Sequence, residues 1–102
     1  MEKGGYVYIM TTQWNTVLYI GVTSQLFERV AKHIEKFYPD SFTAKYNVNK
    51  LVYYIWFPSI EEAIAYEKKI KGGSRKKKIA MINEFNPSWR DLFPGSSADK
   101  NR

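Results

Sequence analysis

Five residues in this chain have types and spacings suited to chemistry. Glu67 falls inside the apolar stripe of a helical stretch, three residues from both Ile64 and Ile70. A carboxylate on a core-facing stripe is costly unless it is paired or binds a cation. Two readings are open: an ion pair with Lys71 or with Arg29 of an earlier helix, or a ligand for Mg²⁺, which uses one or two protein carboxylates and keeps several waters. Arg29 and His33 stand one helical turn apart, at i and i+4, on one margin of another stripe. Arg29 offers a rigid fork that matches phosphate. His33 offers an acid, a base or a phosphate donor. Tyr8 and Tyr19 lie in strand-like runs, where tyrosines are most often packing residues. Beside these stands a dense basic block: Lys68, Lys69 and Lys71, then Arg75, Lys76, Lys77 and Lys78. From Glu67 to Lys78 there are seven basic residues and one acidic one, a net of +6, equal to the formal charge of the whole chain. Read blandly, this is a solvated helix face. Read functionally, it grips a phosphate backbone without reading bases.

The elements that position these residues follow from patterning. GYVYIM (5–10) and VLYIGV (17–22) read as β-strands joined across polar TTQWNT, a hairpin with a loop of about five or six residues. Gly21 near the end of the second strand suits a bulge or a close backbone approach. Ser24 is placed to cap a helix running to about Phe37, and Pro39 forbids much continuation. Leu26, Phe27, Val30, Ala31, Ile34 and Phe37 form its apolar stripe. Residues 38–50 are polar and read as a long loop. LVYYIWF (51–57) is apolar at both parities, which fits a strand covered on both faces. Ser59 with Glu62 matches the capping box. The helix that it opens runs to about Lys71 and closes at Gly72-Gly73, with Ile60, Ala63, Ile64 and Ile70 on its apolar face. A further helix starts near Ser74 and stops before Pro87. The tail 95–102 reads as disordered.

Composition narrows the classes. The chain has 102 residues, 17% of them aromatic, and no cysteine. One domain over residues 1–94 is expected. Disulfides and cysteine-ligated metals are excluded, and one histidine leaves no donor set for a structural zinc site. No apolar h-region follows MEKGG and no run is long enough to span a bilayer, so a soluble cytoplasmic protein without membrane contact is expected. The charge of +6 favours a polyanionic partner, with nucleic acid first.

Tyr6-Val7-Tyr8 followed by Tyr19-Ile20-Gly21 resembles the paired motifs of the GIY-YIG nuclease superfamily. The first motif has YVY in place of GIY, and the second matches letter for letter. Arg29, His33 and Glu67 follow in the order of that family's catalytic set. Asn86-Pro87-Ser88-Trp89-Arg90-Asp91-Leu92 resembles its small, single-domain bacterial branch, so the likeness covers about residues 5 to 93. The resemblance implies an α+β fold, a three-stranded antiparallel sheet flanked by helices in the order β-β-α-β-α-α. It also implies hydrolysis of DNA phosphodiesters with one Mg²⁺ or Mn²⁺ ion, in a repair or recombination setting. By the motif match, Glu67 holds the metal, Tyr8 or Tyr19 orients or deprotonates the attacking water, and Arg29 offsets charge on the phosphate. His33 assists proton transfer, and Asn86 matches a family asparagine near the site. Lys68, Lys71, Arg75, Lys76, Lys77 and Lys78 are the expected DNA-binding cations. Many relatives take their specificity from an attached domain, and none fits in this chain, so DNA recognition is expected to be structure-selective, non-specific or supplied by a partner protein. Two other functions compete on the same scaffold: a non-catalytic nucleic-acid-binding module, in which removing Glu67 improves binding, and a protein-interaction domain.

Overall fold

The computed structural model describes residues 4–94, so the expected tail 95–102 lies outside the described residues. Seven elements follow in order: β1 (Gly5–Thr11), β2 (Leu18–Thr23), α1 (Leu26–Ile34), α2 (Phe42–Lys45), β3 (Lys50–Phe57), α3 (Ile60–Lys71) and α4 (Arg75–Phe85). The three strands form one antiparallel sheet in the order β2-β1-β3, so β1 is central and β2 and β3 are its edges. The α+β architecture expected from the sequence is present.

Side chains alternate across a strand, and β1 therefore feeds two cores. Val7 and Ile9 pack with Ile20, Val52, Tyr53, Ala63, Ile70 and Ile82, under α3 and α4. Tyr8 and Met10 pack on the other face with Leu26, Val30, Val48 and Leu51, under α1. The β1–β3 register shifts between Ile9 and Met10. Ile9 pairs with Tyr53 and Met10 with Leu51, which leaves Val52 as the extra residue of a bulge. That insertion turns Val52 and Tyr53 towards the same core, although they are adjacent. Both faces of β3 are partly covered, as its apolar parity suggested, but Trp56 near its end is 55% exposed.

Two helix boundaries differ from the expected ones. Gln25, not Ser24, is the N-cap of α1, and it makes no side-chain cap bond. Thr23 does related work: its hydroxyl accepts from the Gln25 N–H at 3.1 Å. At the other end the helix closes at Ile34, because Lys36 takes a left-handed φ of 55°. Phe37 thus leaves the helix before it can join the apolar stripe and is exposed, as is Phe27 in part. The buried face is Leu26, Val30 and His33, so His33 sits inside the stripe instead of on its margin. The second difference lies in the expected loop 38–50, which contains α2. Ser41 caps it, accepting from the Ala44 N–H.

The later helices start where expected. The Ser59 hydroxyl accepts from the Glu62 N–H at 3.2 Å and donates to the Glu62 carboxylate at 3.0 Å. Ser74 caps α4 through the Lys77 N–H. Beyond α4 the chain returns to β3: Leu92 N–H donates to Leu51 O at 2.8 Å, and Asp91 accepts from Leu51 N–H at 3.2 Å. No helix among the described residues is long and apolar enough to cross a membrane.

Candidate active site

Tyr8 is fully buried in the middle of the sheet, directly opposite Gly21 of β2. The absence of a side chain at Gly21 is a steric requirement. A Cβ there would lie 2.4 Å from both Cζ and Oη of Tyr8, closer than real carbon contacts approach. The Tyr8 ring is fixed on its other side, because its hydroxyl is hydrogen-bonded to His33 Nε2 at 2.9 Å. We therefore expect Gly21→Ala to destabilise the fold by about 1–3 kcal/mol, the usual cost of overpacking. It should also break the Tyr8–His33 bond. Denaturant titration together with the His33 ring resonances checks both, and an unchanged midpoint would show that the ring yields freely.

His33 is held from both ring nitrogens. Nδ1 lies 2.9 Å from the hydroxyl of Thr43, a nearly inaccessible residue of α2, and Thr43 in turn lies 3.1 Å from the Ser41 hydroxyl. The result is a string of polar groups, buried at Tyr8, His33 and Thr43 and half-buried at Ser41. Its electrostatics are set by burial. Burial first, and then the neighbouring Tyr19, push the Tyr8 phenol well above its ordinary pKa, and the nearby Arg29 only partly opposes this. Burial first, and then the charge on Arg29, hold His33 below its ordinary value. At neutral pH the pair is a phenol beside a neutral imidazole.

This shift makes a stability prediction. A histidine in the unfolded chain takes up its proton near pH 6.5. The folded chain resists that proton until lower pH. As pH falls below about 6.5 the unfolded state binds more protons than the folded one, so stability falls. Chemical denaturation at pH 7.5 and 5.5 should show the loss in the natural protein and a smaller one in His33→Gln. Equal slopes for the two proteins would rule out His33 as the cause.

Tyr19 is the phenol that meets the surface. Its ring lies 5.4 Å from the His33 ring, edge-on, and stacks at 6.1 Å on Phe42. Tyr19 lines a groove of about 390 Å³ together with Leu18, Ile20, Phe42, Lys71, Arg75 and Lys78. Leu18, Tyr19 and Ile20 are consecutive and alternate faces, so this groove passes over the open edge of β2 and links the α1 side of the sheet to the α3–α4 side. One wall is aromatic and the other is basic.

Glu67 approaches from α3, with its side chain 13% exposed and Oε2 3.1 Å from Lys71 Nζ. The ion pair with Lys71, one of the two readings of this residue, is therefore present. It does not close the other. Lys71 is 53% exposed, and a pair that open to water holds its partners weakly. Among the described residues Glu67 makes no hydrogen bond to Tyr8, Tyr19, Arg29 or His33; Lys71 is its link to the groove.

Residues 4–80 match the GIY-YIG catalytic domain. The chain belongs to the GIY-YIG family. A solution NMR structure of the UPF0213 protein BH0048 from Bacillus halodurans is similar to this chain, with a TM-score of 0.55 and 28% identity, covering 91% of this chain and 97% of that one. No curated protein matches. Membership of the GIY-YIG family implies nuclease-type function and nucleic-acid binding, and nucleases of this family are generally dependent on a divalent metal.

The residues can be tested against such an ion. Among the described residues no group of three or more His, Cys, Asp or Glu side chains gathers as a metal cage. A lone, partly open carboxylate is nevertheless the donor that Mg²⁺ takes when its remaining positions are filled by water and phosphate oxygens. Glu67 fits that description.

Of the expected catalytic and metal-binding residues only Tyr19 lines the groove. Tyr8 and His33 are buried, Glu67 is linked to the groove through Lys71, and Arg29 lines a separate hollow with Thr23, Gln25, Glu28 and Lys32. Asn86 lies outside the matched residues 4–80, and its amide is fully engaged elsewhere. It donates to Val52 O at 3.1 Å and Arg90 O at 2.8 Å, and accepts from Arg90 N–H at 3.2 Å. The first ties the returning chain to β3, the sheet edge opposite the groove, and the other two close the turn at Arg90. Asn86 is a structural brace here. Of the six expected DNA-binding cations, Lys71, Arg75 and Lys78 line the groove, while Lys68, Lys76 and Lys77 do not. Lys78 also donates to Gly73 O at 2.8 Å, closing the end of α3. Sequence reading missed two residues. Thr43 carries no signal, because nothing in a ten-residue separation ties a threonine to a histidine. Phe42 had only its aromatic type.

Proposed function

We propose that this protein hydrolyses phosphodiester bonds in DNA, with one divalent ion held at Glu67. The observation that carries this reading is the Tyr8–His33 hydrogen bond, buried beneath Gly21 beside a groove with a basic wall. Any buried phenol takes a hydrogen-bond partner, but here the partner is a neutral imidazole anchored at both nitrogens, next to the Tyr19 phenol that reaches the groove. A hydrolytic site does need a proton acceptor shielded from bulk water.

The strand backbone lies along Lys71, Arg75 and Lys78, which fix its position by charge without reading sequence. Tyr19, at the groove surface, orients the attacking water. The water oxygen bonds to phosphorus as the bond from phosphorus to the leaving oxygen breaks. The proton of the water passes through Tyr19 towards the Tyr8–His33 pair. His33 Nε2 holds it only transiently, because burial and Arg29 disfavour the charged ring, and it is then given up to the leaving oxygen. Thr43 holds the ring so that this nitrogen faces Tyr8. Arg29, exposed on α1 beside Tyr8, offsets the negative charge that builds on the phosphate oxygens. When bound, Mg²⁺ or Mn²⁺ at Glu67 supplies Lewis acidity at the phosphate.

The test is cleavage of labelled duplex, flapped, branched and single-stranded DNAs in Mg²⁺, in Mn²⁺ and in chelator. Metal-dependent cutting of at least one DNA is the expected result. Tight binding with no cutting of any DNA in either metal would leave the non-catalytic binding module as the function.

A further inference from the structure

Trp14 stands at the tip of the β1–β2 hairpin and is 76% exposed. A single exposed apolar side chain needs no explanation by itself. The loop that carries it is what distinguishes this one. The Thr12 hydroxyl accepts from Thr16 N–H at 3.0 Å and is 2.8 Å from the Thr16 hydroxyl. Asn15 N–H donates to Thr12 O at 3.0 Å, with Asn15 in the left-handed region at φ 59°. From outside the hairpin, the Arg75 guanidinium donates to Thr16 O at 3.1 Å. The loop is locked internally and pinned to α4, and it holds a large indole in water.

Arg75 gives the direction. The same residue lines the groove with Tyr19, Lys71 and Lys78. The Trp14 loop therefore abuts the basic wall, at the end of the groove where Leu18 begins β2. A strand whose phosphates follow that wall brings the adjoining nucleotide to the hairpin tip. We infer that Trp14 is a stacking contact for one unstacked nucleobase of the DNA, such as the first base beyond a duplex end. An indole suits this ligand because every base has a π face, so stacking adds affinity without sequence preference. Such a contact gives the groove a preference for a break in the helix. The inference rests on the nucleic-acid reading of the groove, and not on catalysis.

The test is binding of the full chain, in chelator, to a labelled duplex with a short single-stranded overhang. The comparison DNA has abasic sites throughout the overhang, so that phosphates are kept and bases removed. We expect the abasic DNA to bind roughly tenfold more weakly to the natural protein, within the range measured for base–aromatic stacking. Trp14→Ala should lose the same factor on the normal DNA and nothing further on the abasic one, with an unchanged salt dependence. If Trp14→Ala binds both DNAs as the natural protein does, the inference is overturned while the nuclease reading stands. A change in oligomeric state on Trp14→Ala would assign the residue to self-association instead. No binding of the natural protein to either DNA would remove this inference and the proposed function together.

Discussion

Tyr19→Phe should lower the rate of DNA cleavage by about 10²-fold or more, the scale at which positioned proton-transfer groups act. The substitution removes one hydroxyl and keeps the ring. The stack on Phe42 at 6.1 Å and the edge contact with His33 at 5.4 Å need only the ring, so fold and groove shape should survive. DNA affinity should therefore change little, because the phosphate grip comes from Lys71, Arg75 and Lys78. The split is diagnostic. Loss of rate at constant affinity assigns the Tyr19 hydroxyl to the reaction itself. Equal rates for the two proteins would mean that the water is oriented by another group, and the proton path through Tyr19 would be wrong. Single-turnover cleavage, with binding measured separately in chelator, gives both quantities.

Glu67→Gln should have the larger effect, a loss of about 10³-fold or more, because it removes the proposed hold on the ion that supplies Lewis acidity. Glutamine keeps the size and the hydrogen-bonding oxygen, so α3 should remain folded. The ion pair with Lys71 is lost, but Lys71 is 53% exposed, and the neutral glutamine leaves no unpaired charge on the less exposed Glu67 side. Lys71, released from its acidic neighbour, should bind phosphate slightly better. Affinity for DNA is thus expected to hold or rise as activity disappears. A parallel fall in affinity and melting temperature would point to a structural role for the carboxylate.

How much of this was legible in the sequence depended on the range of the forces involved. Ser59 and Glu62 announced α3 because capping is a local interaction written within four residues. The strands around Tyr8 and Tyr19 were readable for the same reason, but Gly21, which suggested a bulge or a close backbone approach, instead pairs in regular register and leaves room for the Tyr8 ring. The position of His33 was misread by one helix face. Phe37 looked like part of the stripe until Lys36, in a left-handed conformation, ended α1 before it. Helix α2 escaped notice because four residues are too few to show a period, even though Ser41 stood at its cap. Thr43 became part of the site only through the folding of that segment over α1. Asn86 shows the opposite error. A residue type in a familiar order suggested a place at the site, while the structure engages its amide in three hydrogen bonds, one to Val52 of β3 and two that close the turn at Arg90. Motif order shows which residues a family uses. Which side chains remain free to act depends on what each has already bonded to.

The measurement that tests the central claim most directly is single-turnover cleavage by the natural protein and by Glu67→Gln, on the best DNA of the panel. It is run in Mg²⁺, in Mn²⁺ and in chelator, with affinity for the same DNA measured alongside. The account predicts cutting by the natural protein in metal only, almost none by Glu67→Gln, and equal or tighter DNA binding by the variant. Cutting by Glu67→Gln at the natural rate, or cutting that persists in chelator, would contradict it.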